Sequence, residues 1–122
     1  MIFEEQTFKG VYIISPTIFY DKRGSFFESF KDYVFEKKLN CKFVQDNEVF
    51  SEKVDTLRGL HYQIENPQAK LIHVLSGAIK DVIVDVRLNS KTFGESFTVN
   101  LNHKNHKMLF IPKGFAHGYL VL

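Results

Sequence analysis

An all-β jelly-roll sandwich or barrel with one short helix near residues 27–39 is the fold class this sequence predicts, and three observations carry it. Nearly the whole chain is period-2 alternation or short apolar runs bounded by Gly, Asn or Pro. One segment alone has a helical period. Thirteen Phe and no Trp supply large rings that need no polar partner inside.

The elements follow in chain order. A strand is predicted over 10–14. The helical segment comes next, with Phe30, Tyr33, Val34 and Lys37 following Phe26 and Phe27 and a stop near Leu39-Asn40. Strands are then predicted over 42–50, 56–63, 69–75, 78–88, 95–101, 107–111 and 115–122. Ser76-Gly77 reads as a hairpin turn, and Asn89-Ser90-Lys91 and Asn102-His103-Lys104-Asn105 read as longer loops. Many short, closely spaced strands belong to a sandwich or barrel.

At 122 residues there is room for one domain, over 1–122. The segment 115–122 still reads as strand where the sequence stops, so the expectation is a domain lacking its C-terminal segment. Sixteen basic against fourteen acidic residues leave no excess for nucleic acid. No apolar run approaches the roughly 20 residues of a membrane span. The opening Met1-Ile2-Phe3-Glu4-Glu5 has no basic secretory n-region, which predicts a cytoplasmic protein. Cys41 is alone, which excludes an internal disulfide. Thirteen of the basic residues are Lys, and the three Arg (Arg23, Arg58, Arg87) stand out as planar, bidentate donors suited to phosphate or carboxylate.

Alternation selects the candidate site. In 42–50, Gln45 and Asn47 share a face with Phe43 and Val49. Lys70 shares parity with Ile72 and Val74, and His117 with Phe115, Tyr119 and Val121. A polar group on an inward face must be hydrogen-bonded or functional; taken singly, each is also explained as a satisfied core or rim residue. Flat alternation puts Arg58 and His61 on opposite faces, so a shared pocket requires a bulge, for which Gly59 is well placed. Arg23 and Glu28 flank a second turn glycine, Gly24. His103 and His106 read as solvated loop residues. No His-x-His pair, Gly-rich phosphate loop or nucleotide-fold fingerprint occurs, so neither a metal nor a cofactor is expected.

The order of motifs says more than any one of them. Tyr20-Asp21-Lys22-Arg23-Gly24-Ser25-Phe26-Phe27-Glu28-Ser29-Phe30 precedes Phe43-Val44-Gln45-Asp46-Asn47, then Leu57-Arg58-Gly59-Leu60-His61-Tyr62-Gln63 and Ala69-Lys70-Leu71-Ile72. Asp81 to Arg87, Thr92-Phe93-Gly94 and Ile111-Pro112-Lys113-Gly114-Phe115-Ala116-His117-Gly118 close the series. From about residue 3 onward this resembles the dTDP-4-dehydrorhamnose 3,5-epimerase family, metal-free cupins acting on nucleotide-linked 4-keto-6-deoxy sugars. The resemblance implies a cupin-like jelly roll that dimerises through its sheets, with part of each site supplied by the partner. It implies His61 as catalytic base and Lys70 as the cation beside the sugar's C4 oxygen. Arg23, Glu28, Gln45, Asn47, Arg58 and His117 would bind substrate, Arg58 through the diphosphate. The family's opposite-face acid, a Tyr, and the Asp that orients the base would both fall after Leu122. Two readings therefore stand: an epimerase in surface-polysaccharide biosynthesis, or a non-catalytic nucleotide-sugar binding module. Within the first, a GDP-linked deoxy-heptose or a ketoisomerase reaction is the variant.

Overall fold

Two four-stranded antiparallel sheets and a separate two-stranded hairpin account for all ten strands of the computed structural model, which describes residues 1–122. In chain order these are β1 (Ile2–Glu5), β2 (Tyr12–Ser15), β3 (Phe19–Asp21), β4 (Gly24–Phe26), α1 (Asp32–Leu39), β5 (Leu57–His61) and β6 (Lys70–His73). β7 (Ala78–Asp85), β8 (Ser96–Asn102), β9 (Met108–Ile111) and β10 (Phe115–Val121) complete the chain. One sheet has the order β1-β2-β9-β6 and the other β5-β10-β7-β8, while β3 and β4 pair only with each other. No helix is long and apolar enough to cross a membrane.

The first sheet is covered on both faces, and β9 shows the consequence. All four of its residues are buried: Leu109 and Ile111 point into the core between the sheets, and Met108 and Phe110 into a second core under α1. Alternation still operates, but both faces are apolar. Ile13 and Ile14 of β2 divide between the two cores in the same way, as do Ile72 and Leu71 of β6. The result is three layers, with α1 on the first sheet and the first sheet on the second.

The sandwich is the predicted all-β jelly roll, with three local corrections. The helix spans 32–39, not 27–39. Phe26 is taken up by the hairpin, where it pairs with Phe19, and only Phe35 and Leu39, four apart, are buried as a helical stripe. Asp32 in the first turn and Lys37 and Lys38 in the last suit the helix dipole, and Asn40 ends it in the left-handed conformation at φ 49°.

The segment 42–50 is not a strand. Its alternation has no ladder to join, because Phe43 packs with Cys41 over the helix-side core while Val44, Val49 and Phe50 stay exposed. Ser76-Gly77 does turn the chain, with Gly77 at φ 76°, but the strands it joins do not pair with each other. β6 bonds to β9 and β7 to β10 and β8, so this turn carries the chain from one sheet to the other.

Candidate active site between the two sheets

The pairing of β5 with β10 brings the sequence-selected residues together. His61 lies opposite His117, but Arg58 lies opposite Tyr119, so three steps on β5 match two on β10. That extra residue is the bulge around Gly59, and directly paired residues share a face. Arg58 and His61 therefore stand on the same side of the sheet as His117 and Tyr119. Gly59 has φ 90°, and a Cβ there would sit 2.5 Å from the His117 carbonyl oxygen. A side chain is excluded at this position by conformation and by space.

β10 turns the same face toward the core, with Phe115 inside the inter-sheet cluster and His117 two residues on. Lys70 comes from the opposite wall. It pairs with Ile111 of β9, whose side chain lies in that inter-sheet core, so its stem enters the same space. Lys70 is half-buried, and its ammonium donates to the Gln68 carbonyl at 3.5 Å. Burial pulls its pKa below the ordinary lysine value. His61 and Arg58 are exposed at the rim; Arg58 makes only long contacts, 3.4 Å to Ser51 Oγ and 3.5 Å to the Phe50 carbonyl. Its guanidinium donors thus remain open to an incoming anion.

Asp81 is a member of this site that alternation along β7 could have revealed. Asp81, Ile83 and Asp85 alternate inward and all three are fully buried. Asp81 Oδ2 is 2.9 Å from His117 Nε2, while its Oδ1 has no partner. Burial raises its pKa, and the bond to His117 opposes that rise. Asp85 is satisfied differently, by Arg87 Nε (2.9 Å), Arg87 Nη2 (2.7 Å), Ser90 Oγ (2.6 Å) and Thr92 Oγ1 (2.6 Å). From the end of β7 it ties down the loop that follows, and Arg87 also caps the Phe115 ring at 4.5 Å.

Four expected residues stand apart. Arg23 sits in the two-residue loop of the β3–β4 hairpin and binds Asp21, with Nη2 2.6 Å from Oδ2; that bond holds the Asp21 carboxyl below its usual range. Arg23 is not joined to Glu28, which instead pairs with Lys31 at 3.3 Å. Gln45 donates to Asn47 at 3.1 Å, both exposed in the irregular segment before β5. A shallow cavity of about 390 Å³ runs along the hairpin past Tyr20, Arg23 and Phe26, and neither His61 nor His117 lines it. The chemistry is better located by the converging titratable side chains than by that cavity. No group of three His, Cys, Asp or Glu converges as a metal site.

The arrangement can hold an anion on Arg58 and offers an imidazole and a half-buried lysine for chemistry beside it. An ammonium in a partly dry site stabilises a developing oxyanion more strongly than one in water.

Comparison with known proteins gives the family of the chain. Residues 5–122 match the family model described as dTDP-4-dehydrorhamnose 3,5-epimerase. The chain is 47% identical to the enzyme of that name from Methanothermobacter thermautotrophicus, across 98% of its own length and 65% of the relative's. Identity to the Salmonella typhimurium enzyme is 46%, covering 68% of that protein. The structure superposes with TM-score 0.91 on an epimerase from Legionella pneumophila in complex with dTDP-4-keto-L-rhamnose, at 45% identity, covering 99% of this chain and 65% of that one. It superposes with TM-score 0.92 on a Bacillus anthracis relative holding TDP and pyrophosphate, at 43% identity, covering 99% of this chain and 70% of that one. The chain spans about two thirds of the length of the curated relatives it matches. With a bulge that turns Arg58 and His61 to one face, and a match that runs through every strand from β2 to β10, the chain belongs to the dTDP-4-dehydrorhamnose 3,5-epimerase family.

Proposed function

We propose that this protein epimerises a nucleotide-linked 4-keto-6-deoxy sugar, of the dTDP-4-dehydro-6-deoxyglucose type, by proton abstraction beside the C4 ketone. The observation that supports it most is the bulge at Gly59, which puts the Arg58 guanidinium and the His61 imidazole on one face of the second sheet, while the half-buried Lys70 comes from the first. Protons at C3 and C5 both flank the ketone, so removing either leaves an enolate. His61 takes the proton. Lys70 faces the oxygen on which charge develops. Arg58 holds the diphosphate, through binding energy remote from the reacting carbons. His117, held by Asp81, contacts the sugar.

Arg23, Glu28, Gln45 and Asn47 complete the substrate contacts in this reading, and the β3–β4 hairpin supports their supply across a homodimer. Phe19, Tyr20 and Phe26 are 62%, 73% and 73% exposed on a two-stranded ribbon, which is marginal without a packing surface. A second copy covers that ribbon and brings its polar tip to a neighbouring site. The reading also carries a cytoplasmic location and a place in surface-polysaccharide biosynthesis, both drawn from the family. Solvent deuterium should enter C3 and C5 of a dTDP-linked 4-keto-6-deoxyglucose incubated with the complete gene product. A folded sample that exchanges neither carbon but binds the nucleotide sugar would establish a binding module instead. Running the GDP-linked substrate beside the dTDP-linked one fixes the nucleotide.

A further inference from the structure

The β3–β4 hairpin bonds to neither large sheet, so its placement depends on side chains. Phe27, the residue after β4, is half-buried between two exposed neighbours, Phe26 and Glu28. Its ring lies 4.7 Å from the His106 ring and 6.2 Å from the His73 ring, the latter edge-on at 73°. His106, expected from the sequence to be solvated, is half-buried here. On the far side of Glu28, Phe30 packs on Phe35 at 4.8 Å. Glu28 is thus suspended between two aromatic anchors, and the hairpin that carries Arg23 hangs from the first.

We infer that Phe27 is a positioning residue for the Arg23 and Glu28 arm, and that its clasp by His73 and His106 loosens when His73 takes up a proton. The role of the arm rests on the functional reading above; the clasp itself does not. His73 Nε2 is buried with no hydrogen-bond partner, so an imidazolium there would place a charged donor where no acceptor waits. Burial first, and the charge of His106 second, pull the His73 pKa below its ordinary value. Of the other charged groups on the elements around it, Lys107 beside His106 is exposed, Lys70 on β6 has opposite parity, and Glu28 on the arm is engaged by Lys31. None offers His73 a counter-charge. A histidine whose native pKa is depressed leaves its site intact above about pH 6.5 and weakens it as pH falls below that value.

The test is an NMR titration of the protein from pH 8 to pH 5, following the backbone amides of residues 21–28 with the His73 ring. The expected result is that the arm amides move with the His73 midpoint, and that His73→Phe, an apolar ring of similar size, removes that response. Phe27→Ala should collapse the dispersion of the hairpin amides while the β9 amides keep their positions. Arm amides that ignore the His73 titration, or that respond equally in His73→Phe, would overturn the inference. His73→Phe keeps the test decisive if Phe27→Ala loses the fold. Titrating dTDP into the same samples separates the two readings: a nucleotide that fails to bind at every pH removes the substrate role of the arm and leaves the clasp result unaffected.

Discussion

Gly59 and Gly118 meet backbone to backbone across β5 and β10. A Cβ on Gly118 would lie 2.5 Å from the Arg58 carbonyl oxygen, and one on Gly59 would lie 2.7 Å from the Gly118 Cα. The shared face of Arg58, His61 and His117 depends on this approach, because the bulge it permits is what turns Arg58 and His61 the same way.

Gly118→Ala therefore separates the two strands, since the atoms it strikes are main chain and cannot rotate away. Overpacking of this kind costs about 1–3 kcal/mol. The urea midpoint should fall accordingly, with nucleotide-sugar affinity lost at the same time as Arg58 and His61 shift. Wild-type affinity in a folded Gly118→Ala variant would show that the bulge does not set the site.

Two buried aspartates on one face of β7 make opposite predictions. Burial alone would push the Asp85 carboxyl up, but the bonds from Arg87, Ser90 and Thr92 overcome it and hold the group well below the usual carboxylate range. Its stabilising contribution is fully present above about pH 4 and is lost as pH falls through the native value. Asp85→Asn leaves Arg87 without its charge partner and should destabilise the fold by about 3 kcal/mol at pH 7. Denaturation curves between pH 7 and pH 3 should also show a shallower acid dependence than wild type.

Asp81 lies on the other side of that balance. Its native pKa is raised, so its charge at pH 7 opposes folding, and the penalty is relieved as pH falls through the raised value. Asp81→Asn should leave the melting temperature at pH 7 unchanged or higher. His117 would keep an amide partner but lose the carboxylate that orients it, and sugar binding should weaken several-fold. A variant both destabilised and fully active would reverse this assignment.

The sandwich was legible in the sequence because strands such as β7 and β8 alternate, one face toward the core. It was least legible where rings are abundant. Phe26, Phe27 and Phe30 look like a helical face, yet they pack on Phe19, His73 with His106, and Phe35. Alternation over 42–50 carried no information about pairing partners, and the segment has none. The bulge at Gly59 was legible only as a condition: a shared pocket for Arg58 and His61 would require one, and the register of β5 on β10 supplies it. Asp81 was missed because its inward parity is a property of β7, whereas its significance comes from His117, 36 residues away.

Lys70 and Arg58 should separate in steady-state kinetics of the complete gene product. Lys70 is half-buried with a depressed pKa, so its ammonium matters most when negative charge develops next to it. Lys70→Ala should lower kcat by about 10²–10³, the usual loss for an oxyanion donor, with little change in KM. If Arg58 holds the diphosphate as proposed, it serves ground and transition states alike, and Arg58→Ala should raise KM with a smaller effect on kcat. An equal loss of kcat in both variants would mean that Arg58 also acts at the reacting carbons.

His61 is the most exacting case, because its exposed position at the rim is compatible with either a base or a bystander. As the base it contributes chiefly to the transition state, so His61→Asn should nearly abolish turnover and leave dTDP-sugar affinity within a few-fold. Deuterium entry at C3 and C5 should stop together if one imidazole serves both carbons. As a merely structural histidine it would instead lower the melting temperature and leave kcat per folded molecule unchanged. Thermal melts, isothermal binding and proton exchange on the same preparation distinguish these outcomes, and an active His61→Asn variant would move the base to another residue on this face, with His117 next in line because Asp81 already holds its Nε2.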